Sequence, residues 1–263
     1  MKLSNSMDIV QWIKSSQRLW LFLDYDGTLV DFALTPDEIR PNQQVISLLK
    51  RLVQKKTLRL TVISGRRISD IRRLLPIDDM FLCGTYGIEL LTPDGKFIER
   101  IQYNLIRPFL RLIKPQWEQL IASRSGFFLE DKGWSLALHA RFADAVEANQ
   151  VMVSARQLLV DNLPTEDFRI LGGERFLEIA PAEAHKGNTV TYLLQQYPSP
   201  ETSLLYIGDD DKDEEAFNVI HAHNGVAIKV GATPSQTANL SLNSPHSVTI
   251  WLENLLKQLP PNG

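Results

Sequence analysis

Five short apolar runs share one shape along the chain: strand-favouring residues, then a polar or glycine-containing turn. They are LWLFLD (19–24), LRLTVISG (58–65), MFLCG (80–84), LLYIGDD (204–210) and GVAIKVG (225–231). Continuous apolar runs of this length predict strands buried on both faces. Between them the period changes. In NQQVISLLKRLVQK, Val45, Leu48, Leu49 and Leu52 fall at i, i+3, i+4 and i+7, one stripe of a helix. SDIRRLL, stopped by Pro76, and DEEAFNVIHAH read the same way. Strand–helix alternation predicts an α/β fold with a parallel, doubly wound sheet.

The middle breaks that rhythm. A turn signal, TPDGKF, precedes an amphipathic stretch around IRPFLRLIKPQWEQLIAS. Two strand-like runs follow, GFFLED and WSLALHARF, joined by Lys132-Gly133. A helical pattern at 145–160 leads to FRIL and RFLEIAP, separated by Gly172-Gly173. Two hairpins with helices predict an α+β unit at 103–181, inserted into an α/β domain made of 1–102 and 182–263. The tail, LPPNG, is expected to fray.

Composition acts by exclusion. With 44% hydrophobic and 22% charged residues the chain reads as an ordinary globular protein. Twenty-eight basic against 31 acidic side chains leave a net charge of −3 and no basic run, so no nucleic-acid partner is expected. Cys83 is the only cysteine, which rules out an intrachain disulfide and a cysteine-rich metal site. No window approaches the ~18 apolar residues of a membrane span, and the N-terminus lacks a signal-peptide core. The expectation is a cytoplasmic protein without a membrane partner, acting as a monomer.

LFLDYDGTLVD (21–31) carries the chemistry. An apolar run that ends in two acids one residue apart needs a positive or electrophilic partner, because desolvated carboxylates cost several kcal/mol if unpaired. In open α/β sheets ligands collect at the carboxyl ends of the strands. Three runs put functional side chains there: Asp24 and Asp26, Ser64, and Asp209 and Asp210. Residues i and i+2 of an extended chain face the same side, so Asp24 and Asp26 are expected to address one reacting group. A carboxylate can attack a phosphoryl group when a hard cation cancels their repulsion. Mg²⁺ takes one or two carboxylates with phosphate and water, a role for Asp24 and Asp209. Asp26 is placed to protonate the departing alkoxide and then to deprotonate a water. Ser64, Gly65 and Arg66 at the second strand end, and Lys186 at a helix start in AHKGNTV, are candidates to hold the phosphate. Each piece alone reads as a solvated turn, a helix cap or a surface lysine; the whole set in this order reads as a phosphatase.

These residues resemble the haloacid-dehalogenase superfamily of aspartate-dependent phosphatases, through Asp-x-Asp-Gly-Thr (24–28), Ser64, Lys186 and Gly-Asp-Asp (208–210). GDDDKDEEAF, VISGR, LEDKGWSLALHAR, GERFLEIAPAEAHKGNTV and IKVGATPSQ narrow the resemblance to the trehalose-6-phosphate phosphatase family, over nearly the whole chain. It implies a Rossmann-like core with an inserted α+β cap, and Mg²⁺-dependent hydrolysis of the sugar phosphate trehalose 6-phosphate. It implies Asp24 as nucleophile and metal ligand, and Asp26 as acid/base and metal ligand through its backbone carbonyl. Asp209 would complete the metal ligands, with Asp213 in support. In the cap, Glu130, Lys132, His139, Arg141 and Glu178 fall where the family reads sugar hydroxyls.

Three positions depart from the family pattern. Tyr86 stands for a histidine in GTYGIE, Ala180 for a cation in EIAP, and Lys212 for a threonine before Asp213. None touches the chemical step, but Tyr86 and Ala180 bear on the identity of the sugar. The rival readings are a phosphatase of another phosphorylated glycoside, such as glucosyl- or mannosyl-glycerate phosphate, and a phosphomutase. A dehalogenase would have no use for Asp26 or a cation. A non-catalytic regulatory domain could shed its acids, whereas here all are present.

Overall fold

Leu19, Leu21 and Leu23 alternate with Trp20 and Phe22 along the first strand, β1 (Arg18–Leu23), and the two sets enter different cores. A strand sends successive side chains to opposite faces, so this single run fixes the two faces of the main sheet. The computed structural model describes residues 6–14, 17–32, 40–162, 164, 166–173 and 175–260. In chain order the remaining elements begin with α1 (Ser6–Lys14), α2 (Gln43–Val53), β2 (Leu58–Ile63), α3 (Ile68–Leu74), β3 (Phe81–Gly84), β4 (Glu89–Leu91) and β5 (Phe97–Glu99). Next come α4 (Tyr103–Ile121), β6 (Phe128–Asp131), β7 (Leu136–His139), α5 (Ala145–Asn162), β8 (Phe168–Gly172) and β9 (Phe176–Pro181). The chain closes with α6 (Lys186–Gln196), β10 (Thr202–Gly208), α7 (Asp211–Ala222), β11 (Val226–Val230), β12 (Leu240–Leu242) and α8 (Pro245–Gln258).

The chain forms two compact units, residues 1–98 with 185–263, and residues 99–184. In the first, one sheet runs β12-β11-β10-β1-β2-β3-β4-β5, parallel from β12 to β3. Leu19, Leu21 and Leu23 meet Ile9 and Ile13 of α1, Leu48, Leu49 and Leu52 of α2, and Leu252 and Leu255 of α8. Trp20 and Phe22 meet Val190 and Leu193 of α6 and Phe217 and Ile220 of α7. Helices thus cover both faces, which is why the strands read as unbroken apolar runs. The sheet extends beyond its parallel block: β4 pairs antiparallel with β3, and β5 follows after the TPDG turn. Three-residue strands carry too little periodicity to be seen in the sequence.

The second unit is a four-stranded antiparallel sheet, β6-β7-β9-β8. Leu136, Leu138, Leu177 and Ile179 are buried, as are Ile106, Leu110, Ile113 and Trp117 of α4 and Val151, Ala155 and Leu159 of α5. Trp117 Nε1 donates to Ala155 O at 3.2 Å, tying the two helices together. Helix α4 runs unbroken through Pro108 and Pro115. Of the tail expected to fray, Leu259 is instead buried against the core, Pro260 accepts from Lys55, and residues 261–263 lie outside the described set. No helix among the described residues is long and apolar enough to cross a membrane.

Candidate active site

The chain crosses from β1 to β2 on one side of β1 and returns through β10 on the other. At such a switch point the strand ends open a crevice. Asp24 follows β1, Ser64 follows β2 and Asp209 follows β10, so the acids and the serine share one edge of the first unit. Asp24 N donates to Ile207 O at 3.0 Å, which holds the β1 and β10 ends side by side. Continuing the alternation of Trp20 and Phe22, the Asp24 side chain emerges on the face of α6 and α7. There it meets Lys186, the first residue of α6, whose Nζ lies 2.9 Å from Asp24 Oδ1. The same ammonium lies 2.6 Å from Asp213 Oδ1 and 3.6 Å from Asp210 Oδ1, and the lysine is only 2% exposed. A surface reading of Lys186 is excluded; it is a buried cation of the site.

Helix α7 starts with a reciprocal cap. Asp210 accepts from Lys212 N at 3.0 Å and Asp213 N at 3.1 Å. Asp213 Oδ2 in turn accepts from Asp209 N at 2.9 Å and Asp210 N at 3.0 Å. Its other oxygen accepts from Lys186 and, at 2.8 Å, from the Tyr206 hydroxyl. The Asp213 carboxylate is thereby fully engaged and sets the turn that aims Asp209. Asp209 Oδ1 accepts from Thr28 Oγ1 at 3.1 Å. Gly27, at φ 81°, makes this approach possible, since a Cβ there would lie 2.3 Å from Asp209 Oδ2.

Carboxylate oxygens of Asp24, Asp209 and Asp213 all lie within 4.8 Å of one another. Burial, with the charges of Asp209 and Asp210, pushes the Asp24 carboxyl well up despite Lys186. Burial likewise raises Asp209 to about 6 and Asp213 to about 8. Burial opposes the charge on Lys186, but Asp210, Asp213 and Asp24 outweigh it and hold the ammonium protonated. An anionic cluster this strained suits a hard divalent cation, and oxygen-only donors fit that choice. With Asp213 saturated, Asp24 and Asp209 are the carboxylates left to ligate.

The strain has a pH signature. Unfolded, these carboxyls titrate near ~4. Folded, Asp209 and Asp213 keep protons to about 6 and about 8, so the native state binds more protons than the unfolded chain above that point. Their stabilising contribution is complete below pH ~4 and is lost as pH rises through the two folded values. In chelator, the melting temperature is expected to fall between about pH 5 and about pH 8; a divalent cation should flatten that fall by favouring the ionised forms. Equal slopes with and without cation, by scanning calorimetry, would contradict it.

The structure gives Asp26 a different partner from Asp24. Arg66 Nε and Nη2 donate to the two Asp26 oxygens at 2.7 and 2.9 Å, a bidentate pair. Arg66 N donates to Ser64 Oγ at 3.1 Å, which leaves the serine proton to point elsewhere. Glu89, buried, accepts from Ile68 N at 2.8 Å and Arg67 Nη2 at 2.9 Å, pinning the loop that carries Ser64, Gly65 and Arg66.

In the second unit, Glu130, Ala137 and Glu178 form one cross-strand row, and Phe128, His139 and Phe176 form the row two positions along, which faces the same side. Opposed residues share a face, so one side of the sheet carries Glu130, His139 and Glu178 together. His139 Nε2 is 3.0 Å from Glu130 Oε2, and its ring stacks on Phe128 with centroids 4.1 Å apart. Lys132 Nζ donates to Glu178 Oε1 at 3.1 Å, as does Ser135 Oγ at 2.6 Å. Arg141 was expected on a strand; β7 ends at His139, and Arg141 lies in an exposed turn where its carbonyl accepts from Arg175.

Sequence reasoning gave no role to three residues that touch the acidic site: Thr28, named only within the Asp-x-Asp-Gly-Thr motif, Tyr206 and Lys229. Lys229, 2% exposed, donates to the Asp209 carbonyl from inside β11. Its signal was available, a lysine in the middle of the apolar VAIKV, since a buried charge must be paired.

A family model described as trehalose-phosphatase matches residues 22–247. A "Probable trehalose-phosphate phosphatase" of Sinorhizobium fredii is 33% identical over 226 residues, covering 85% of this chain and 81% of that protein. A trehalose-phosphate phosphatase of Mycobacterium bovis is 28% identical over 247 residues, covering 91% of this chain and 61% of that longer protein. Two solved structures share the fold. The C-terminal domain of a C. albicans trehalose-6-phosphate phosphatase superposes with TM-score 0.85 at 21% identity, covering 96% of this chain and 97% of that one. The C-terminal domain of a Candida albicans trehalose synthase regulatory protein gives 0.76 at 13%, covering 92% and 96%. With a family match that begins within β1 and ends within α8, the chain belongs to the trehalose-phosphatase family.

Proposed function

We propose that the chain hydrolyses trehalose 6-phosphate to trehalose and phosphate, with Mg²⁺ as cofactor, through an aspartyl phosphate on Asp24. The observation that carries the reading is the buried Asp24 carboxylate, held 2.9 Å from Lys186 at the strand switch point among acids that only a cation relieves. The Asp24 and Asp209 carboxylates and the Asp26 backbone carbonyl would hold the metal. When bound, Mg²⁺ cancels the repulsion between an attacking carboxylate and the phosphate and draws charge from the phosphoryl oxygens. Asp24 attacks phosphorus as the bond to the sugar oxygen breaks. Asp26 gives its proton to the departing alkoxide. It then takes a proton from water, which attacks the phosphorus of the aspartyl phosphate, releases phosphate and restores Asp24.

Both oxygens of Asp26 are occupied by Arg66, so proton transfer requires the guanidinium to move. A phosphate offers it an equivalent bidentate partner. Arg66 thereby exchanges Asp26 for the substrate, while Ser64, the Gly65 backbone and Lys186 take other phosphate oxygens. In the second unit Glu130, Lys132, His139, Arg141 and Glu178 read the sugar hydroxyls. A set of charged hydrogen-bonding groups rejects analogues that lack those hydroxyls. All these groups belong to one chain, and the proposal is a monomer in the cytoplasm, where the Cys83 thiol stays reduced.

The fold alone does not separate an enzyme from a regulatory domain, because a regulatory protein shares it. The acids do, since a domain without chemistry has no use for them. Phosphate release from trehalose 6-phosphate, hexose 6-phosphates and glucosyl- and mannosyl-glycerate phosphates, with and without chelator, tests the reading. Turnover of trehalose 6-phosphate at least about tenfold above the others in kcat/KM, abolished by chelator, is expected. A glycerate glycoside turned over faster would reassign the sugar, and no release from any of them would restore the regulatory reading.

A further inference from the structure

Two of the positions that depart from the family pattern lie far apart in sequence and meet in the fold. The Lys212 ammonium sits 5.8 Å from the centre of the Tyr86 ring. Tyr86 is firmly placed. It is 6% exposed, has a left-handed backbone at φ 55°, donates from its N–H to Ser64 O at 2.8 Å and accepts at its carbonyl from Thr189 Oγ1 at 2.7 Å. Its ring lies against Gly65, where a Cβ would come within 2.7 Å of the Tyr86 hydroxyl. The ring therefore spans from the Ser64–Arg66 loop to the first turn of α7.

Lys212 is oddly sited for a structural residue. It is the second residue of α7, where a positive charge opposes the helix dipole. Its Nζ donates to Asp210 Oδ2 at 2.8 Å, while the other oxygen of Asp210 faces Lys186 at 3.6 Å. One carboxylate thus links the two lysines, and Lys186 touches Asp24. With their acids ionised, Asp24, Asp209, Asp210 and Asp213 outnumber the two buried lysines, Lys186 and Lys229, by two charges. A divalent cation brings that set to neutrality before any phosphate arrives, so the charge of the phosphate itself falls to Arg66, released from Asp26, and to one further cation. Lys212 supplies the missing positive charge. Its side chain is 22% exposed, so it is reachable from solvent.

We propose that Lys212 is a further phosphate-binding cation of this site, beside Lys186 and Arg66, and that the face of Tyr86 is what positions it. The inference rests on the reading that phosphate binds beside Asp24. It goes beyond that reading in assigning a substrate-binding role to a lysine and a tyrosine outside the catalytic set.

The test is calorimetric binding of inorganic phosphate to the full chain with Mg²⁺, alongside steady-state turnover. Lys212→Thr is expected to weaken phosphate binding by about tenfold, the scale of one charge-assisted contact, and Lys212→Arg to restore most of it. Tyr86→Leu should lose affinity in the same direction, with the loss in KM rather than kcat. The double variant should be no worse than Lys212→Thr alone, because both act through one ammonium. Lys212→Met serves if the threonine variant does not fold. Phosphate affinity within about twofold of wild type in a folded Lys212 variant, or additive losses in the double variant, would overturn the proposal. The reading it rests on fails separately: a wild-type chain that binds phosphate through Lys212 but releases none from any sugar phosphate would retain this site and lose the enzyme.

Discussion

Asp24→Asn is expected to yield a folded protein in which sugar-phosphate turnover falls by at least about 10⁴-fold in kcat, the scale seen when a nucleophile is removed. The amide occupies the same volume and its oxygen can still accept from Lys186 across the 2.9 Å gap. What it cannot do is attack phosphorus. Its effect on stability runs the other way. Burial and the charges of Asp209 and Asp210 push the native carboxyl well up, so the ionised form is held at a cost that only a cation relieves. In chelator the variant should therefore melt no lower than wild type, and should gain less than wild type from added Mg²⁺. Phosphate release and calorimetry on the same preparation check both halves. Retained turnover would refute the covalent route.

Lys186→Met should damage the fold and the reaction together. The lysine is buried against Asp24 and Asp213, with Asp210 close by. Deleting one partner of a buried ionic cluster leaves charge uncompensated and costs about 3–5 kcal/mol. For a chain of this size that lowers the melting temperature by about 10 °C. Loss of a preorganised positive charge beside the phosphate should also lower kcat/KM by about 10²- to 10³-fold. Adding Asp213→Asn removes one stranded acid. The double variant should recover part of the melting temperature and none of the activity, a split that a purely structural role for Lys186 would not produce. Wild-type stability in the single variant, by thermal unfolding, would show that the cluster is not held by this lysine.

The strand-end acids were legible because the strands that bear them are covered on both faces. A polar residue such as Asp24 or Asp209 therefore stands out as the end of an apolar run. The partners of those acids were not legible. Whether Arg66 meets Asp26 depends on β1 lying beside β2, and whether Tyr206 meets Asp213 depends on α7 folding back on β10. The β4–β5 extension escaped notice because three residues carry no readable alternation. WSLALHARF overstated its strand, which stops at His139 where Ala140 N turns to Arg175 O. Tyr86 and Lys212 each read as isolated departures, and only the fold brings them within reach of one another.

The most direct measurement is rapid acid quench of wild type turning over trehalose 6-phosphate with Mg²⁺, followed by peptide mass spectrometry. A phosphoryl group on the peptide containing Asp24, absent from Asp24→Asn and lost on chasing with buffer, is the result expected. Steady turnover with no phosphorylated peptide, or a phosphoryl group carried by a different residue, would contradict the account.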